Sequence, residues 1–307
     1  MTGSHLLKSP DRDASVSVES AWAKRLRDGE QPTAKDAEEH LQLVHRKHAG
    51  FAEACALKCR DPEGRNSYEW LLSAVPRDKP LCLLDLGCGG GALLALCHEQ
   101  LHSGCALRGV DMSEDELALA RKRLPNAVAL DAAYAQDMPF IPDGSVDVVL
   151  CHWALTLMKP VEPVLSEVRR ILKPGGLFAA IVDGDLDGAP GYRAVNDLIY
   201  GWVERVFPAY CDQELGDARV RRREALHALS AAVFPGADIA ITGARFAMSA
   251  SAANLAREAA DFFYASYVLA PKDRAAMLEE LESLFSEMGT SRRFSMPINR
   301  LTVTLPF

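Results

Sequence analysis

The sequence lacks the features that mark secreted and membrane proteins. No apolar run approaches the ~18 residues of a membrane-spanning helix, and the first residues lack the charged, apolar and small-residue order of a signal peptide. The chain has 8 cysteines but no C-x-x-C pair. These absences predict a cytoplasmic protein whose cysteines are reduced packing residues, with no membrane partner.

The sequence also lacks a basic surface. Its 34 basic and 42 acidic residues give a formal charge of -8, and no stripe of lysines and arginines interrupts that balance. Because binding to duplex nucleic acid requires neutralisation of phosphates, we expect no nucleic-acid partner. The predicted partner is a small-molecule substrate, and the predicted state is a monomer or a homodimer.

The most informative segment that is present runs from Leu83 to Gly91, where an apolar strand leads into an acidic glycine-rich turn. Glycines at Gly87, Gly89 and Gly91 allow positive φ and remove side chains, so a polar ligand can lie against backbone amides at a helix N-terminus. Asp85 adds a carboxylate at the strand end, which suits a cationic amino group better than a pyrophosphate. The pattern therefore predicts a nucleotide-sized cleft.

Hydrophobic periodicity predicts an alternation of strands and helices from residue 81 onward. The predicted parallel strands are Leu81–Leu86, Ala106–Asp111, Ala127–Leu130, Val146–Cys151 and Leu177–Val182. After Asp183, helices arrive without an intervening strand, and two later strands, Ile239–Met248 and Arg300–Leu305, complete the pattern. We therefore predict an α/β fold with a doubly wound, mostly parallel, seven-stranded sheet, N-terminal helices and a helical cap inserted after the fifth strand.

The same pattern predicts a division of the chain into five parts. The predicted parts are a flexible N-terminal arm at 1–33, N-terminal helices covering the site at 34–80, a ligand-binding core at 81–189, a helical cap at 190–235, and C-terminal strands and helices at 236–307.

Over residues 65–182 the chain resembles the class I S-adenosylmethionine-dependent methyltransferases with small-molecule acceptors. The resemblance depends on several separate blocks in the order typical of that family. These blocks are Leu83–Gly91, Gly109–Ser113, Ala135–Phe140, Ser145–Val149 and Leu165–Gly176. The resemblance implies a Rossmann-like fold and S-adenosylmethionine as the cofactor, with Asp85, Gly87, Gly89 and Gly91 among its binding residues.

The resemblance also implies how the nucleoside would be held. Asp111 ends the second strand, where a carboxylate can accept hydrogen bonds from both ribose hydroxyls. Met112 would pack on the adenine, and the Ala135 amide would meet a ring nitrogen. Tyr134 stands where relatives usually have an aspartate for the adenine amino group, and Asp137 is a second acceptor candidate.

Methyl transfer from a sulfonium needs alignment and exclusion of water more than acid-base groups. If the acceptor needs a base, His152 after the fourth strand is the best placed, with a packed histidine as the alternative. Tyr68 is the second catalytic candidate. Tyr68, Tyr134 and Trp153 are aromatic candidates for contact with the sulfonium, and Cys151 is a further predicted cofactor contact.

The histidines His40, His45 and His48 form a cluster that invites a metal-binding interpretation. Only His45 and His48 share a helix face, and no cysteine or carboxylate set completes a tetrahedral site. We therefore predict no metal.

Three functions fit these residues. The leading prediction is a methyltransferase acting on a small metabolite or natural-product intermediate. The alternative is a cyclase resembling azetidine-2-carboxylate synthases, which consumes S-adenosylmethionine itself and releases methylthioadenosine. The third is a binding or regulatory protein that kept the fold without turnover.

Overall fold

The structure, a computed structural model, describes residues 18–48, 50–210 and 215–307. Its centre is a seven-stranded sheet in the order β3-β2-β1-β4-β5-β7-β6. The strands are β1 Cys82–Leu86, β2 Ala106–Asp111, β3 Ala129–Ala132, β4 Val146–His152, β5 Leu172–Asp183, β6 Asp238–Met248 and β7 Phe294–Thr304. Strands β1 to β5 are parallel, and β7 runs antiparallel to both β5 and β6.

Eleven helices are found in the described ranges. They are α1 Ala21–Arg27, α2 Ala34–Lys47, α3 Phe51–Lys58, α4 Ser67–Leu72, α5 Ala92–Gln100, α6 Glu114–Arg123, α7 Glu162–Ile171, α8 Tyr192–Val206, α9 Arg223–Val233, α10 Ala252–Phe262 and α11 Pro271–Glu287. Within the described part of the chain, no helix is both long enough and apolar enough to cross a membrane.

The sheet separates two apolar layers because successive strand residues point to opposite faces. In β1, Leu83 belongs to one core with helices α4, α5, α8 and α10, whereas Leu84 belongs to a second core with α7 and α9. Strand β4 follows the same alternation: Leu150 packs in the first core and Cys151 in the second. Both faces of the parallel strands are thus covered, as in doubly wound folds.

The strand register places the carboxyl ends of β1, β2 and β4 side by side. Asp85 lies opposite Gly109 of β2 on one side and Leu150 of β4 on the other. Between β1 and β4 the direction of the crossovers reverses, and ligands of open α/β sheets bind at this point.

Part of the arm at 1–33, which the sequence predicts to be flexible, lies against the core. Residues 1–17 lie outside the described residues, whereas residues 18–33 include α1, which buries Trp22, Ala23 and Leu26. Val18 and Trp22 are fully buried, and Trp22 stacks on His40 with ring centroids 4.7 Å apart. Because most residues of the arm are polar, its sequence does not indicate the few large apolar side chains that hold it against the core.

Two other boundaries differ for local reasons. Strand β5 begins at Leu172 rather than at the predicted Leu177, and residues 173–176 form a bulge within it, since the partner of Val146 is Leu172 and the partner of Val148 is already Leu177. The last strand begins at Phe294 rather than at the predicted Arg300. Polar residues such as Asn299 interrupt its apolar pattern, but Asn299 is buried and its side-chain amide donates to the Asp183 carbonyl at 3.2 Å.

Candidate functional site

A cavity of about 1530 Å³ lies at the carboxyl ends of β1, β2, β4 and β5. Helix α2, the beginning of α3 and residues 262–264 contribute further walls, and so do the segment after β5 and helix α8. The predicted site residues Asp85, Gly87, Gly89, Asp111, Met112, Tyr68, Tyr134, Ala135, His152 and Trp153 all line it. The structure therefore brings most of the predicted site together.

Asp85 is a buried carboxylate without a partner. It is 1% exposed, and neither of its oxygens has a hydrogen bond to any described residue. Burial, together with the negative charge of Asp111, raises the pKa of Asp85 to about 8. A buried carboxylate without donors is costly, so this position favours a ligand that brings positive charge.

The glycine turn fits between β1 and the end of β4. Gly87 has φ +71, and a Cβ there would lie 2.3 Å from the Ala154 Cβ. Gly91 is the N-cap of α5 at φ +79, and a Cβ there would lie 2.8 Å from Leu124 Cδ1. Of the three predicted glycines, Gly91 does not line the cavity, so it shapes the turn and does not face a ligand.

Asp111 holds the turn from the side of β2. Its Oδ2 accepts from the Gly89 amide at 2.9 Å, and its Oδ1 accepts from the Ser113 amide at 2.8 Å. Burial raises the pKa of Asp111 above its ordinary value, although these two amide hydrogen bonds oppose the shift. Each oxygen retains a further lone pair for a ligand hydroxyl.

The residues predicted to hold adenine lie at the outer edge of the cavity. Met112 and Tyr134 are 39% and 46% exposed, and the Tyr134 hydroxyl donates to Glu38 Oε1 of helix α2 at 2.7 Å. Asp137 is an exposed loop residue that does not line the cavity, so the prediction of Asp137 as an adenine contact is corrected. Its amide donates back to the Tyr134 carbonyl at 3.0 Å, which turns its side chain outward.

His152 is a packed histidine on the cavity wall. Its ring stacks on Tyr68 at 3.8 Å, and its Nε2 lies 2.8 Å from Ser67 Oγ. Burial lowers the pKa of His152 to about 3, so the ring is neutral at physiological pH and weakly basic. These contacts fit the second interpretation that the sequence left open, a packed histidine, and Tyr68, whose pKa burial raises, is its stacking partner.

Trp153 adopts φ +60, which is strained for a bulky residue. Its indole N–H donates to Asp183 Oδ1 at 3.1 Å, and Arg221 Nε donates to Asp183 Oδ2 at 3.2 Å. Sequence reasoning missed Asp183 and Arg221 because 38 residues separate them. The signal for Asp183 was its position at the end of the fifth strand.

Cys151 does not line the cavity, although it was predicted to contact the cofactor. Its side chain is fully buried in the core beneath α7, and burial raises the pKa of its thiol to about 12. The neighbouring His152 points to the other face of the sheet because side chains alternate along β4. Cys151 is thus a packing residue.

A polar bridge joins helix α2 to the core above the glycine turn. Glu116 of α6 accepts from His45 Nδ1 at 2.9 Å and from the Gly50 amide at 3.3 Å, and the Tyr264 hydroxyl lies 2.7 Å from His45 Nε2. Sequence reasoning missed this bridge because its members lie far apart in the chain. Among the residues described here, no group of three or more His, Cys, Asp or Glu could hold a metal ion.

The comparison with protein families agrees with this geometry. Residues 84–180 match the family model described as a methyltransferase domain. Residues 84–180 therefore form a methyltransferase domain. The predicted family and its cofactor are therefore confirmed at the level of this domain, whereas the alternative of an S-adenosylmethionine cyclase is not favoured.

The chain resembles two kinds of curated methyltransferase over part of its length. It is 36% identical to the demethylmenaquinone methyltransferase of Symbiobacterium thermophilum over 32% of this chain and 41% of that protein. It is 30% identical to the trans-aconitate 2-methyltransferase of Azoarcus sp. over 49% of this chain and 57% of that protein. The chain thus spans about half the length of these relatives.

Solved structures share the fold at low sequence identity. A Haemonchus contortus phosphoethanolamine N-methyltransferase 2 has a TM-score of 0.56 at 16% identity, covering 90% of this chain and 61% of that one. The [4+2]-cyclase SpnF has a TM-score of 0.57 at 19% identity, covering 90% and 97%. These likenesses confirm the predicted Rossmann-like methyltransferase fold.

Proposed function

We propose that the protein transfers a methyl group from S-adenosylmethionine to a small-molecule acceptor. The observation that carries this proposal is Asp85, a fully buried carboxylate with no hydrogen-bond donor beside a glycine turn. The methionine part of S-adenosylmethionine carries an ammonium group that would pair with Asp85. A dinucleotide would place a pyrophosphate there, which brings no positive charge for Asp85 and which a carboxylate at Asp111 would repel.

The cavity residues fit this cofactor in three places. The Asp85 carboxylate would hold the ammonium group, the free lone pairs of Asp111 would accept from the ribose hydroxyls, and Met112 would cover the adenine. Tyr134 replaces the aspartate usual in relatives, and its hydroxyl is already bonded to Glu38. We therefore propose that Tyr134 contributes packing against the purine rather than a hydrogen bond to it.

When bound, S-adenosylmethionine supplies an electrophilic methyl group on a sulfonium whose charge disappears in the transfer. The chain's own residues would align the acceptor with that group and exclude water. Trp153 lines the cavity, and its aromatic side chain would attract a cation. His152 is too weakly basic to accept a proton readily, so the transfer would depend on alignment.

Calorimetry of S-adenosylmethionine and S-adenosylhomocysteine binding tests the proposal. We expect binding to the wild-type protein and affinity at least ~10-fold lower for Asp85→Asn, because the charge pair is lost. Asp137→Asn is the matched control, since Asp137 is exposed and lies outside the cavity. Absence of binding to the wild-type protein, or equal affinity of both variants, would contradict the proposal.

A further inference from the structure

The acceptor side of the cavity carries a continuous set of aromatic rings. We call it the aromatic chamber, and its members are Trp153, Tyr192, Tyr200, Tyr210, Phe262 and Phe263. Each ring contacts another member of the set. The centroid distances are 5.2 Å for Trp153–Phe262, 5.5 Å for Phe262–Phe263, 6.0 Å for Tyr192–Phe263, 6.1 Å for Tyr200–Phe263 and 6.2 Å for Tyr200–Tyr210.

Two helices supply three of these six rings. Tyr192 and Tyr200 stand two turns apart on α8, on the face that also carries the cavity residue Asn196. Phe262 ends α10, and Phe263 follows it directly. Because the rings belong to regular elements packed in one core, the chamber is a preformed apolar surface.

Two arginines that line the cavity beside the chamber, Arg221 and Arg193, are already paired with carboxylates. Arg221 donates to Asp183, and both Nε and an Nη of Arg193 donate to Asp187. An acceptor with several carboxylates or a phosphate would have to lose its hydration without gaining these arginines as partners. The chamber therefore disfavours a highly charged acceptor.

One polar group in the chamber is available to a ligand. Tyr192 is 7% exposed, lines the cavity, and its hydroxyl has no hydrogen-bond partner in the ranges that the structure describes. Burial, with a contribution from the Asp183 charge, raises the pKa of Tyr192 well above its ordinary range, so the phenol stays protonated and can donate. A hydroxyl on the cavity wall without a partner can donate to a ligand oxygen.

We infer that the aromatic chamber binds a ring-containing, largely apolar acceptor that places an oxygen against the Tyr192 hydroxyl. This inference rests on the proposed function and names its substrate class.

Binding of three probes to the protein saturated with S-adenosylhomocysteine tests the inference. The probes are 2-naphthol, trans-aconitate and phosphoethanolamine, and calorimetry is the measurement. We expect 2-naphthol to bind at least ~10-fold more tightly than either charged probe. Tighter binding of a charged probe, or no binding of 2-naphthol up to its solubility limit, would overturn the inference.

Two variants locate the probe in the chamber. Phe262→Ala should weaken 2-naphthol binding ~10-fold, whereas Phe140→Ala, which removes an exposed phenylalanine outside the cavity, should leave it unchanged. Tyr192→Phe should weaken 2-naphthol several-fold, about as expected for one hydrogen bond, and leave naphthalene unaffected. The inference would be contradicted if Tyr192→Phe changed the affinities for 2-naphthol and naphthalene equally. It would also be contradicted if Phe262→Ala and Phe140→Ala changed the affinity for 2-naphthol equally.

The two proposals fail in different ways. If S-adenosylhomocysteine does not bind the wild-type protein, the proposed function is wrong, and titration of 2-naphthol alone still tests the chamber. If S-adenosylhomocysteine binds but the chamber variants do not change 2-naphthol affinity, the substrate class alone is wrong.

Discussion

The Asp111 carboxylate accepts a hydrogen bond from the Gly89 amide at 2.9 Å, which joins the end of β2 to the glycine turn that follows β1. Asp111 therefore has two tasks: it orders the turn, and it offers its remaining lone pairs to a ribose. The two tasks can be separated by substitution, because an amide side chain retains one acceptor oxygen whereas alanine has none.

We expect Asp111→Asn to lower S-adenosylhomocysteine affinity ~10-fold or more while the fold is kept. Asp111→Ala should lower affinity as well, and it should also cost about 1–3 kcal/mol of stability because the amides of Gly89 and Ser113 lose their acceptor. Calorimetry and denaturant unfolding measure the two effects. Equal stability of the two variants would show that the turn does not depend on this carboxylate.

Gly87→Ala should abolish ligand binding and destabilise the protein. The new Cβ would meet the Ala154 Cβ at 2.3 Å in a backbone conformation with φ +71, so strain and overlap both oppose it. Gly144→Ala is the matched control, since Gly144 has φ +56 with open space around it and bears only the conformational cost of about 1–2 kcal/mol. Urea unfolding should rank the wild type first, Gly144→Ala second and Gly87→Ala last; any other order would contradict this reasoning.

Two buried histidines contribute stability that is lost in mild acid. Burial lowers the pKa of His152 to about 3 and that of His40 to about 4, below the 6.5 of an unfolded histidine. Between pH 4 and 6.5 these histidines bind protons in the unfolded chain but not in the folded chain, so their contribution to stability falls as the pH falls, opposite to the contribution of Asp85, whose pKa is raised.

His152→Gln removes one of these two titrating groups. The slope of the unfolding free energy against pH between 4 and 6 should therefore decrease by up to ~1.4 kcal/mol per pH unit. Denaturant titrations at several pH values give this slope, and its comparison between proteins does not depend on the absolute cost of the substitution. An unchanged slope would indicate that His152 is protonated in the folded protein.

The bridge through Glu116 should hold helix α2 against the core. Glu116→Ala removes the acceptor of His45 Nδ1 and of the Gly50 amide. Helix α2 should therefore lose protection from hydrogen exchange, whereas the protection of α7 on the opposite face should not change. Hydrogen exchange read by mass spectrometry resolves the two helices. Equal protection of α2 in both proteins would show that its apolar contacts suffice.

The cofactor end of the site could largely be predicted from the sequence because its signals are local. The glycine turn, Asp85 and Asp111 follow strand ends whose apolar runs are unmistakable, and parallel topology then places those ends together. Cys151 was misplaced because one residue along a strand changes the face, and sequence alone did not fix that alternation.

The acceptor end could not be predicted in the same way. Asp183 meets Arg221, and His45 meets both Glu116 and Tyr264, through contacts between segments far apart in the chain. Such pairs leave no periodic signal. Trp22 shows the same limit in the arm, since a polar neighbourhood concealed a residue that is 1% exposed.

Proton release on binding tests the role of Asp85 most directly. With a pKa of about 8, Asp85 is mainly protonated at pH 7 in the free protein, and pairing with an ammonium group would ionise it. Calorimetric titration of S-adenosylhomocysteine at pH 7 in buffers of different ionisation enthalpy should show release of a large fraction of one proton per ligand for the wild type. Asp85→Asn should show almost none. Equal proton release from the two proteins, or none from the wild type, would contradict the account that Asp85 receives the cationic end of the cofactor.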